Sequence, residues 1–524
     1  MRPLPRNEDP PLPLFFNDDI FPLHPQTMDL LARDYHAALS AQNGHLLAAT
    51  ISPIAPARYL NRLESIYHST NHASVSQDVS YALTKNFSRS ISQEDRQTIE
   101  AWSDIYVAYW HAVGALLAAE EDADDGRVWS KVYDTWKDVV NAVIRGYSSG
   151  LFENWTLPVL YLVGKHLRVF GIKADATKSS ADGQTAVDMG GIQDDIAGDF
   201  GKNEKLEDAA RVLNRMFTLC ISDRAPLPES RKWGLYHAAN LLFKTYFRLN
   251  SISLCKNILR AISASSTDMP PDSQFPKSHI CTFKYYVGVI QFLSEDYTAA
   301  EENLLAALAL CHHSARRNKA LILTYLIPTR LLTNRSLPTA RLLRTYPELE
   351  GLFVPLIGAI KLGSLADFDR ALSAGERAFV KRRVYLTLER GRDLCLRNLL
   401  RQVYLQAGED AEGKKRTRIR VDEFGAAVKF SEGFGGAGAD VQMRDALGLG
   451  EMGNDEVECL LANMIYKVSQ SPWSSRLCLF FTLLLSRRIG KGVDEKQNLM
   501  KGYISRAHGM VVLSKAGAFP GTGV

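Results

Sequence analysis

Very few residues of this chain have the types and spacing that enzyme chemistry requires. The Gly-rich candidate for a phosphate cradle is EGFGGAGAD, at Glu432–Asp440. A cradle of this kind needs a strand that leads directly into the loop and a helix that follows it, and the sequence predicts neither here. His312 and His313 are adjacent, so on a helix they would point in different directions and could hardly share a metal ion. We therefore predict a flexible loop and surface or capping histidines.

The other signatures of catalysis are missing from the sequence. It contains no HExxH metal motif, no GxSxG nucleophile elbow and no P-loop lysine. Its seven cysteines form no CxxC pair and most lie in apolar runs, which is typical of reduced, buried thiols in a cytosolic or nuclear protein. We expect no enzyme activity, no cofactor, no metal and no small-molecule substrate.

Basic residues are the more informative group. From Arg377 to Arg420, thirteen Lys or Arg stand against five Asp or Glu, a net charge of +8, whereas the whole chain carries only +4. The densest cluster is KKRTRIR, at Lys414–Arg420. Such a run can contact phosphates, but it can also be a solvated face or can bind an acidic protein.

The rest of the chain is mainly α-helical. Its 524 residues are 46% hydrophobic, enough for a large core and several domains. Apolar residues recur at helical spacing almost throughout, and alternation typical of strands appears only near the C-terminus. The apolar run Leu477–Leu485 has nine residues, whereas a spanning helix needs about 20, so we expect no membrane segment. The Pro-rich start lacks the apolar core of a signal peptide.

The sequence predicts five regions, most of them helical. In HICTFKYYVGVIQFLSEDYTAAEENLLAALALCHH, Gly288, Tyr297, Ala300 and Ala307 have the spacing of a tetratricopeptide repeat, in which small residues let two helices approach closely. Similar helical pairs on both sides favour a stacked array. The predicted regions are a flexible lead at 1–26, an N-terminal helical region at 27–172, a mobile acidic loop at 173–205, a helical-repeat array at 206–390 and a winged-helix end at 391–524.

The C-terminal region has the element order of a winged helix. A β-prone run at Thr417–Val421 continues into a helix with Val421, Phe424 and Val428 on one face. NDEVECLLANMIYK predicts a second helix, capped by Asp455 and Glu458. KGYIS and GMVVLSK then read as two strands joined by the turn Arg506–Gly509.

These blocks resemble the COP-nine signalosome subunit twelve family. The resemblance rests on SISLCKNILRAI, FPKSHICTFKYYVGV, LTYLIPTRLL, DEVECLLANMIYK and KGYIS…MVVLSKAGAFP, and it covers most of residues 14–524. The family includes Thp-type subunits and subunits of the PCI-domain-containing-protein-two type from the transcription-and-export complex. It implies a mainly α fold, a TPR-like helical-repeat array capped by a C-terminal winged helix, together called a PCI domain. It also implies a non-enzymatic assembly subunit.

Relative to the family that it resembles, the chain has thirty extra residues, Val468–Gln497. Family members run from the last helix almost directly into the wing, and removing these residues gives IYKNLMKGYIS, which restores that spacing. Val-Ser can be encoded by an intron start and Gln by an intron end. We therefore predict a retained or mis-predicted intron; the alternative is a genuine insertion that folds as an exposed amphipathic hairpin.

The winged helix and its basic residues together predict contact with nucleic acid. Stacking aromatics are sparse there apart from Tyr466 and Tyr503, so we expect weak, salt-sensitive binding to the backbone of RNA or double-stranded DNA. The predicted contact residues are Lys414, Lys415, Arg416, Arg418, Arg420, Lys467, Lys501, Arg506 and Lys515.

The resemblance also implies partners and a compartment. Family members pair with a larger Sac- or GANP-type scaffold and with a small acidic Sem/Dss-type polypeptide, for which the basic segment around Lys381–Arg383 and Arg390–Arg401 is suited. It favours a nuclear subunit that couples transcription to messenger-RNA processing or export, with the cytoplasm as a second location. The alternative is a structural subunit of a signalosome-type deneddylase assembly that binds no nucleic acid.

Overall fold

The computed structural model of the protein describes residues 27–85, 92–121, 126–181, 203–408, 416–432, 453–466, 499–515 and 517–522. Most of these residues are helical, in agreement with the 3.6-residue spacing of the apolar positions. They divide into two compact units, the first ending at Leu241 and the second beginning at Leu242, inside one helix. The Pro-rich lead at 1–26, most of the Gly-rich run and the thirty-residue insertion lie outside the described residues.

The first unit is built of helices alone, as far as it is described. Its core is aromatic: Trp102, Tyr106 and Tyr147 are fully buried, and the Trp136 indole Nε1 donates a hydrogen bond to the Val163 carbonyl oxygen at 3.0 Å. The helices are α1 (Thr27–Ser40), α2 (Gly44–Thr50), α3 (Arg62–His68), α4 (Val75–Thr84), α5 (Gln93–Glu121), α6 (Gly126–Ser148), α7 (Leu157–Ala181), α8 (Glu204–Ile221) and α9 (Leu235–Arg248), the last of which continues into the second unit.

The segment predicted as an acidic loop is helical at both ends. Helix α7 continues through Ala181, so nine residues from Lys173 onward are not loop, and α8 begins at Glu204. The buried Asp175 carboxylate accepts hydrogen bonds from the backbone amides of Lys205 and Leu206, at 3.0 and 2.9 Å. These amides lie in the first turn of α8, where no intrahelical acceptor exists for them. Asp175 therefore joins α7 to α8; residues 182–202 lie outside the described part of the chain.

The second unit begins as a series of helices. They are α10 (Ile252–Ala264), α11 (Lys277–Leu293), α12 (Tyr297–Leu310), α13 (Arg316–Thr333), α14 (Ala340–Arg344), α15 (Pro347–Leu362), α16 (Leu365–Ala374), α17 (Glu376–Lys381), α18 (Tyr385–Glu389) and α19 (Arg392–Gln406).

The α11–α12 hairpin has the form that the repeat spacing predicts. Ala300 and Ala307 are fully buried on α12, and a Cβ placed on Gly288 of α11 would lie 2.7 Å from the Leu304 Cγ atom. Only glycine therefore allows this approach of the two helices without a shift of the Leu304 side chain. Asp296 caps α12 by accepting a hydrogen bond from the Ala299 amide at 3.2 Å. The prediction of close-packed helical hairpins is confirmed here.

A winged helix ends the second unit. Its elements are β1 (Arg418–Arg420), α20 (Val421–Ser431), α21 (Asn454–Tyr466), β2 (Gly502–Ser505) and β3 (Met510–Leu513). The strands form an antiparallel sheet in the order β1-β3-β2. The predicted apolar face of α20 is buried, and Gly509, with φ of 57°, closes the predicted turn between β2 and β3. The predicted helix cap is wrong, because α21 already begins at Asn454 and Asp455 lies inside it.

The winged helix and the helical array are packed on each other through α19. Helix α19 contacts α15 and α16 of the array and α20 of the winged helix. The buried Ser431 hydroxyl, at the end of α20, donates to the Gly363 carbonyl oxygen at 2.7 Å and accepts from the Leu365 amide at 2.8 Å. The Tyr404 ring of α19 lies 5.8 Å from the Phe519 ring of the C-terminal segment. Helix α19 thus packs against both the helical array and the winged helix. The predicted start of the winged-helix end, at residue 391, lies one residue before this shared helix.

No helix in the described part of the chain is both long enough and apolar enough to cross a membrane.

Candidate nucleic-acid interface

Six of the nine predicted contact residues lie in the described winged helix, on or beside its sheet. Arg418 and Arg420 lie on β1, and Arg416 lies two residues before it. Lys501 precedes β2, Arg506 lies in the β2–β3 turn and Lys515 follows β3. The other three, Lys414, Lys415 and Lys467, lie outside the described residues.

The strand register places two of these arginines on the outer face of the sheet. Arg418 is paired with Val512 of β3, which is in turn paired with Tyr503 of β2. Directly paired residues of antiparallel strands share a face, so these three side chains form one row.

Arg420, Met510 and Ser505 form the second row of the same outer face. The opposite face carries Ile419 and Val511, which are completely buried against the helices. The alternation of buried and exposed positions along β1 therefore fixes both arginines toward solvent.

Several of the basic residues have carboxylate partners inside the winged helix. Arg416 Nη2 lies 3.2 Å from Glu423 Oε1, and Arg506 Nε lies 3.0 Å from Glu458 Oε2. Glu458 was predicted to cap its own helix; instead its carboxylate contacts Arg506 in the β2–β3 turn.

Arg420 forms the shortest of these ion pairs, at 2.6 Å between its Nη2 atom and Asp422 Oδ2. The hydrogen bond raises the pKa of Arg420 and lowers the pKa of Asp422. Both side chains are exposed, so solvent screens their attraction and a phosphate can compete for the guanidinium. Arg420 is therefore available to an anion in spite of its partner.

Arg418 differs from the other arginines at the sheet. It is exposed, and no carboxylate in the described part of the chain pairs with it. An unneutralised guanidinium on an open surface attracts phosphate or carboxylate groups with little desolvation cost.

Arg390, which follows α18, and the arginines of α19 do not extend this surface, because several of them are engaged within the second unit. Arg390 lies 3.2 Å from Glu295, and Arg392 lies 3.0 Å from Glu432. Arg392 also contacts Asp369 at 3.3 Å.

Arg397 is the most deeply placed of these arginines, with only 6% of its surface exposed. Burial, followed by the neighbouring guanidinium groups of Arg335 and Arg401, lowers the pKa of Arg397 to about 10. The net charge of +8 counted from Arg377 to Arg420 therefore does not form one basic surface, because several of these arginines take part in contacts inside the second unit.

The other sequence candidates for chemistry have ordinary surroundings where they are described. His312 and His313 follow α12 in a turn and are not on a helix; both are exposed, and His312 Nδ1 lies 2.7 Å from the Ser314 hydroxyl. Within the described residues, no group of three His, Cys, Asp or Glu side chains could hold a metal ion. The described cysteines are all free thiols, most of them buried.

Sequence reasoning missed the alignment of Tyr503 with Arg418, because the residues are 85 positions apart and only the strand register brings them into one row. It also missed the carboxylates that neutralise Arg390, Arg392 and Arg506, which come from distant elements. A usable signal was the alternation in KGYIS, since Tyr503 falls on the solvent side if Ile504 faces the core.

A helical-repeat array that is joined through a shared helix to a terminal winged helix defines a PCI-type protein. Comparison with known proteins agrees with this class. The chain belongs to the family of the proteins called CSN12 homolog and PCI domain-containing protein 2, which confirms the family resemblance.

The relatives match over most of their lengths. Protein CSN12 homolog of Neurospora crassa is 47% identical over 505 residues, which cover 95% of this chain and 100% of the relative. The protein of the same name from Schizosaccharomyces pombe is 34% identical over 479 residues, covering 87% and 97%. PCI domain-containing protein 2 of Xenopus laevis is 31% identical over 383 residues, covering 73% and 77%. No family model matches the chain.

Proposed function

We propose that this protein is a non-catalytic PCI subunit of a nuclear assembly that couples transcription to messenger-RNA processing or export. In this function the helical array binds partner subunits, and the winged helix contributes to a surface that contacts the backbone of RNA or DNA. The observation that carries the nucleic-acid part is the open outer face of the sheet, where Arg418 and Arg420 face solvent.

The geometry favours backbone contact over sequence reading. Guanidinium groups form paired hydrogen bonds with phosphate oxygens, and contacts to phosphates position a nucleic acid without identifying its bases. The described cations are few and several have carboxylate partners, so the affinity of the isolated subunit is weak and depends on salt. An assembly that adds further basic surfaces would strengthen it.

The partners of this proposal follow from the family resemblance. They are a larger scaffold of the Sac or GANP type and a small acidic polypeptide of the Sem/Dss type. The nucleus is the proposed compartment. The chain itself supplies packing surfaces and charge, and no chemical step is assigned to it.

Purification from the native cells tests the assembly. The protein is tagged at its N-terminus, and its partners are identified by mass spectrometry. Recovery of a Sac- or GANP-type scaffold together with a small acidic subunit supports the proposal. Recovery of signalosome subunits without them refutes it.

Charge reversal tests the nucleic-acid role. Arg418→Glu should weaken binding of the assembled complex to RNA and reduce the slope of log affinity against log salt by about 1, because one phosphate contact is lost. The triple change Lys414→Glu, Lys415→Glu and Arg416→Glu should weaken binding further. Lys256→Glu is the matched control, since Lys256 is exposed on α10, outside the winged helix.

A filter-binding titration at several salt concentrations provides the measurement. The role of the winged helix is refuted if Arg418→Glu and the triple variant keep the affinity and salt slope of the unchanged protein. Equal losses in Lys256→Glu and Arg418→Glu would mean that only overall charge matters.

The second candidate function is a structural subunit of a signalosome-type assembly without a nucleic-acid role. It is favoured by the name that the fungal relatives carry, CSN12 homolog. It predicts co-purification with subunits that include a metalloprotease, and no salt-sensitive binding of RNA. The same purification and the same titration therefore separate the two candidates.

A further inference from the structure

The outer face of the winged-helix sheet combines two chemical features. Arg418 and Arg420 lie on one edge strand, and Tyr503 lies on the other edge strand with 57% of its surface exposed. Burial of a large aromatic side chain is favourable, and aromatic and arginine side chains are enriched at binding interfaces. An exposed tyrosine on the same face as two arginines is therefore characteristic of a binding surface.

The register sets the distances on this face. Neighbouring strands lie about 4.8 Å apart, so the Cα atoms of Arg418 and Tyr503 are about 10 Å apart, with Val512 between them. Val512 and Met510 are half-buried and form an apolar floor between the two edges. The face is therefore cationic along β1, apolar along β3 and aromatic on β2.

We propose that this face binds single-stranded nucleic acid, with a base stacked on the Tyr503 ring and the backbone phosphates held by Arg418 and Arg420. The inference rests on the proposed function and adds to it the form of nucleic acid and the residue that selects it. A ring offers its face to any base, so this contact favours unpaired strands without identifying their sequence.

The arrangement argues against a duplex as the preferred ligand. In a duplex the bases are stacked on one another, and only their edges are reached through the grooves. A tyrosine on a sheet has no free base to stack on there, whereas phosphates remain available to the arginines. Duplex binding should therefore depend on Arg418, and single-strand binding should depend on both Arg418 and Tyr503.

Charge also argues against an apolar peptide as the occupant. The apolar floor is narrow, a single strand wide, and is bordered by two guanidinium groups on β1. A polyanion that carries flat rings is complementary to both features. An apolar peptide would leave the arginines without partners.

Fluorescence anisotropy on the full-length protein tests the inference. The probes are labelled U15 RNA, labelled dT15 and a blunt 15-base-pair RNA duplex, at one low salt concentration. In Tyr503→Leu the ratio of single-strand to duplex affinity should fall about tenfold, which corresponds to about 1.4 kcal/mol, since stacking on an aromatic side chain is of this order. In Tyr503→Phe, which keeps the ring, the ratio should recover to within about threefold of the original.

Tyr503 is exposed, so its replacement should leave the fold intact, and thermal unfolding of each variant verifies this. A ratio unchanged in Tyr503→Leu overturns the stacking inference. A ratio as low in Tyr503→Phe as in Tyr503→Leu overturns it as well. Equal losses with U15 and dT15 mean that the site accepts both RNA and DNA strands; a loss with U15 alone makes it an RNA site, and both results support stacking.

The outcomes also separate this inference from the proposed function. If Arg418→Glu weakens all three probes while Tyr503→Leu changes none of them, backbone binding stands and the stacking inference fails. If neither the unchanged protein nor its complex binds any probe at low salt, both fail. If Tyr503→Leu releases a co-purifying protein and leaves the ratio unchanged, the face is a protein interface and the inference is wrong.

Discussion

Replacement of Gly363 tests the close contact between α15 and α19, the helix through which the winged helix is joined to the array. Gly363 ends α15 in the left-handed region, with φ of 69° and ψ of 23°. A Cβ atom at this position would lie 2.7 Å from both the Cα and the backbone nitrogen of Leu399 on α19. Backbone atoms cannot rotate away, so Gly363→Ala forces α15 and α19 apart or distorts the turn.

The expected cost is worked from two effects. The left-handed conformation costs a residue with a Cβ atom about 1–2 kcal/mol, and overpacking in a filled interior costs about 1–3 kcal/mol. Together Gly363→Ala should destabilise this region by about 2–5 kcal/mol. The matched control is Gly351→Ala on the same helix, where nothing lies within 4 Å of the added atom. Alanine is preferred to glycine within a helix by about 1 kcal/mol, so this control should stabilise.

Native-state hydrogen exchange read by mass spectrometry is the suitable assay. The chain has two compact units, so a single unfolding transition is not expected, and exchange reports each region separately. Peptides from α15 and α19 should exchange at least about tenfold faster in Gly363→Ala and several-fold more slowly in Gly351→Ala. The reasoning is refuted if Gly363→Ala leaves both peptides unchanged, because the close contact with Leu399 would then be absent.

Two further predictions concern pH and chain continuity. His166 is buried, with 7% of its surface exposed, and burial, then Lys165 and Lys173, lowers its pKa to about 4. In the unfolded chain the pKa of histidine is about 6.5, so the neutral form of His166 contributes stability that is complete above pH 6.5 and is lost as the pH falls toward 4. The loss amounts to up to about 3 kcal/mol. Urea unfolding at pH 6.5 and at pH 4 should show this loss, and His166→Gln should reduce it. For the insertion, mass spectrometry of the native protein should find NLMKGYIS directly after IYK, and peptides from SSRLCLFFTLLLSR would contradict the intron prediction.

Features that depend on neighbouring residues were predictable from the sequence. The α11–α12 hairpin is an example, because Gly288, Ala300 and Ala307 are small where helical periodicity requires contact, and the structure buries all three. The winged-helix order was predictable for the same reason: on the short strand β1, the buried Ile419 lies between the exposed Arg418 and Arg420. The spacing of apolar residues indicates the type of each element and its buried face, even when the residues that pack against that face are unknown.

Features that depend on distant partners were not predictable. Asp455 and Glu458 have the spacing of a capping box, but Glu458 forms an ion pair with Arg506, 48 positions away, and the helix begins at Asn454, two residues before the start that a cap at Asp455 predicts. The end of α7 was missed because Lys173–Ala181 is polar and looks like a loop by composition. It is held as a helix partly by Asp175, whose partners Lys205 and Leu206 are about 30 positions away.

The distribution of the arginines bears directly on the strength of nucleic-acid binding. Arg392 contacts Asp369 of α16 and Glu432 at the end of α20, so one guanidinium links the array to the winged helix. Arginines used in this way hold the winged helix in place and contribute little to phosphate binding. On the described sheet face, Arg418 and Arg420 remain, and two phosphate contacts to a single strand give a salt slope of only about −1.4. A much steeper slope for the isolated protein would mean that cations outside this face dominate. A shallow slope that steepens on assembly would assign the remaining contacts to the partner subunits.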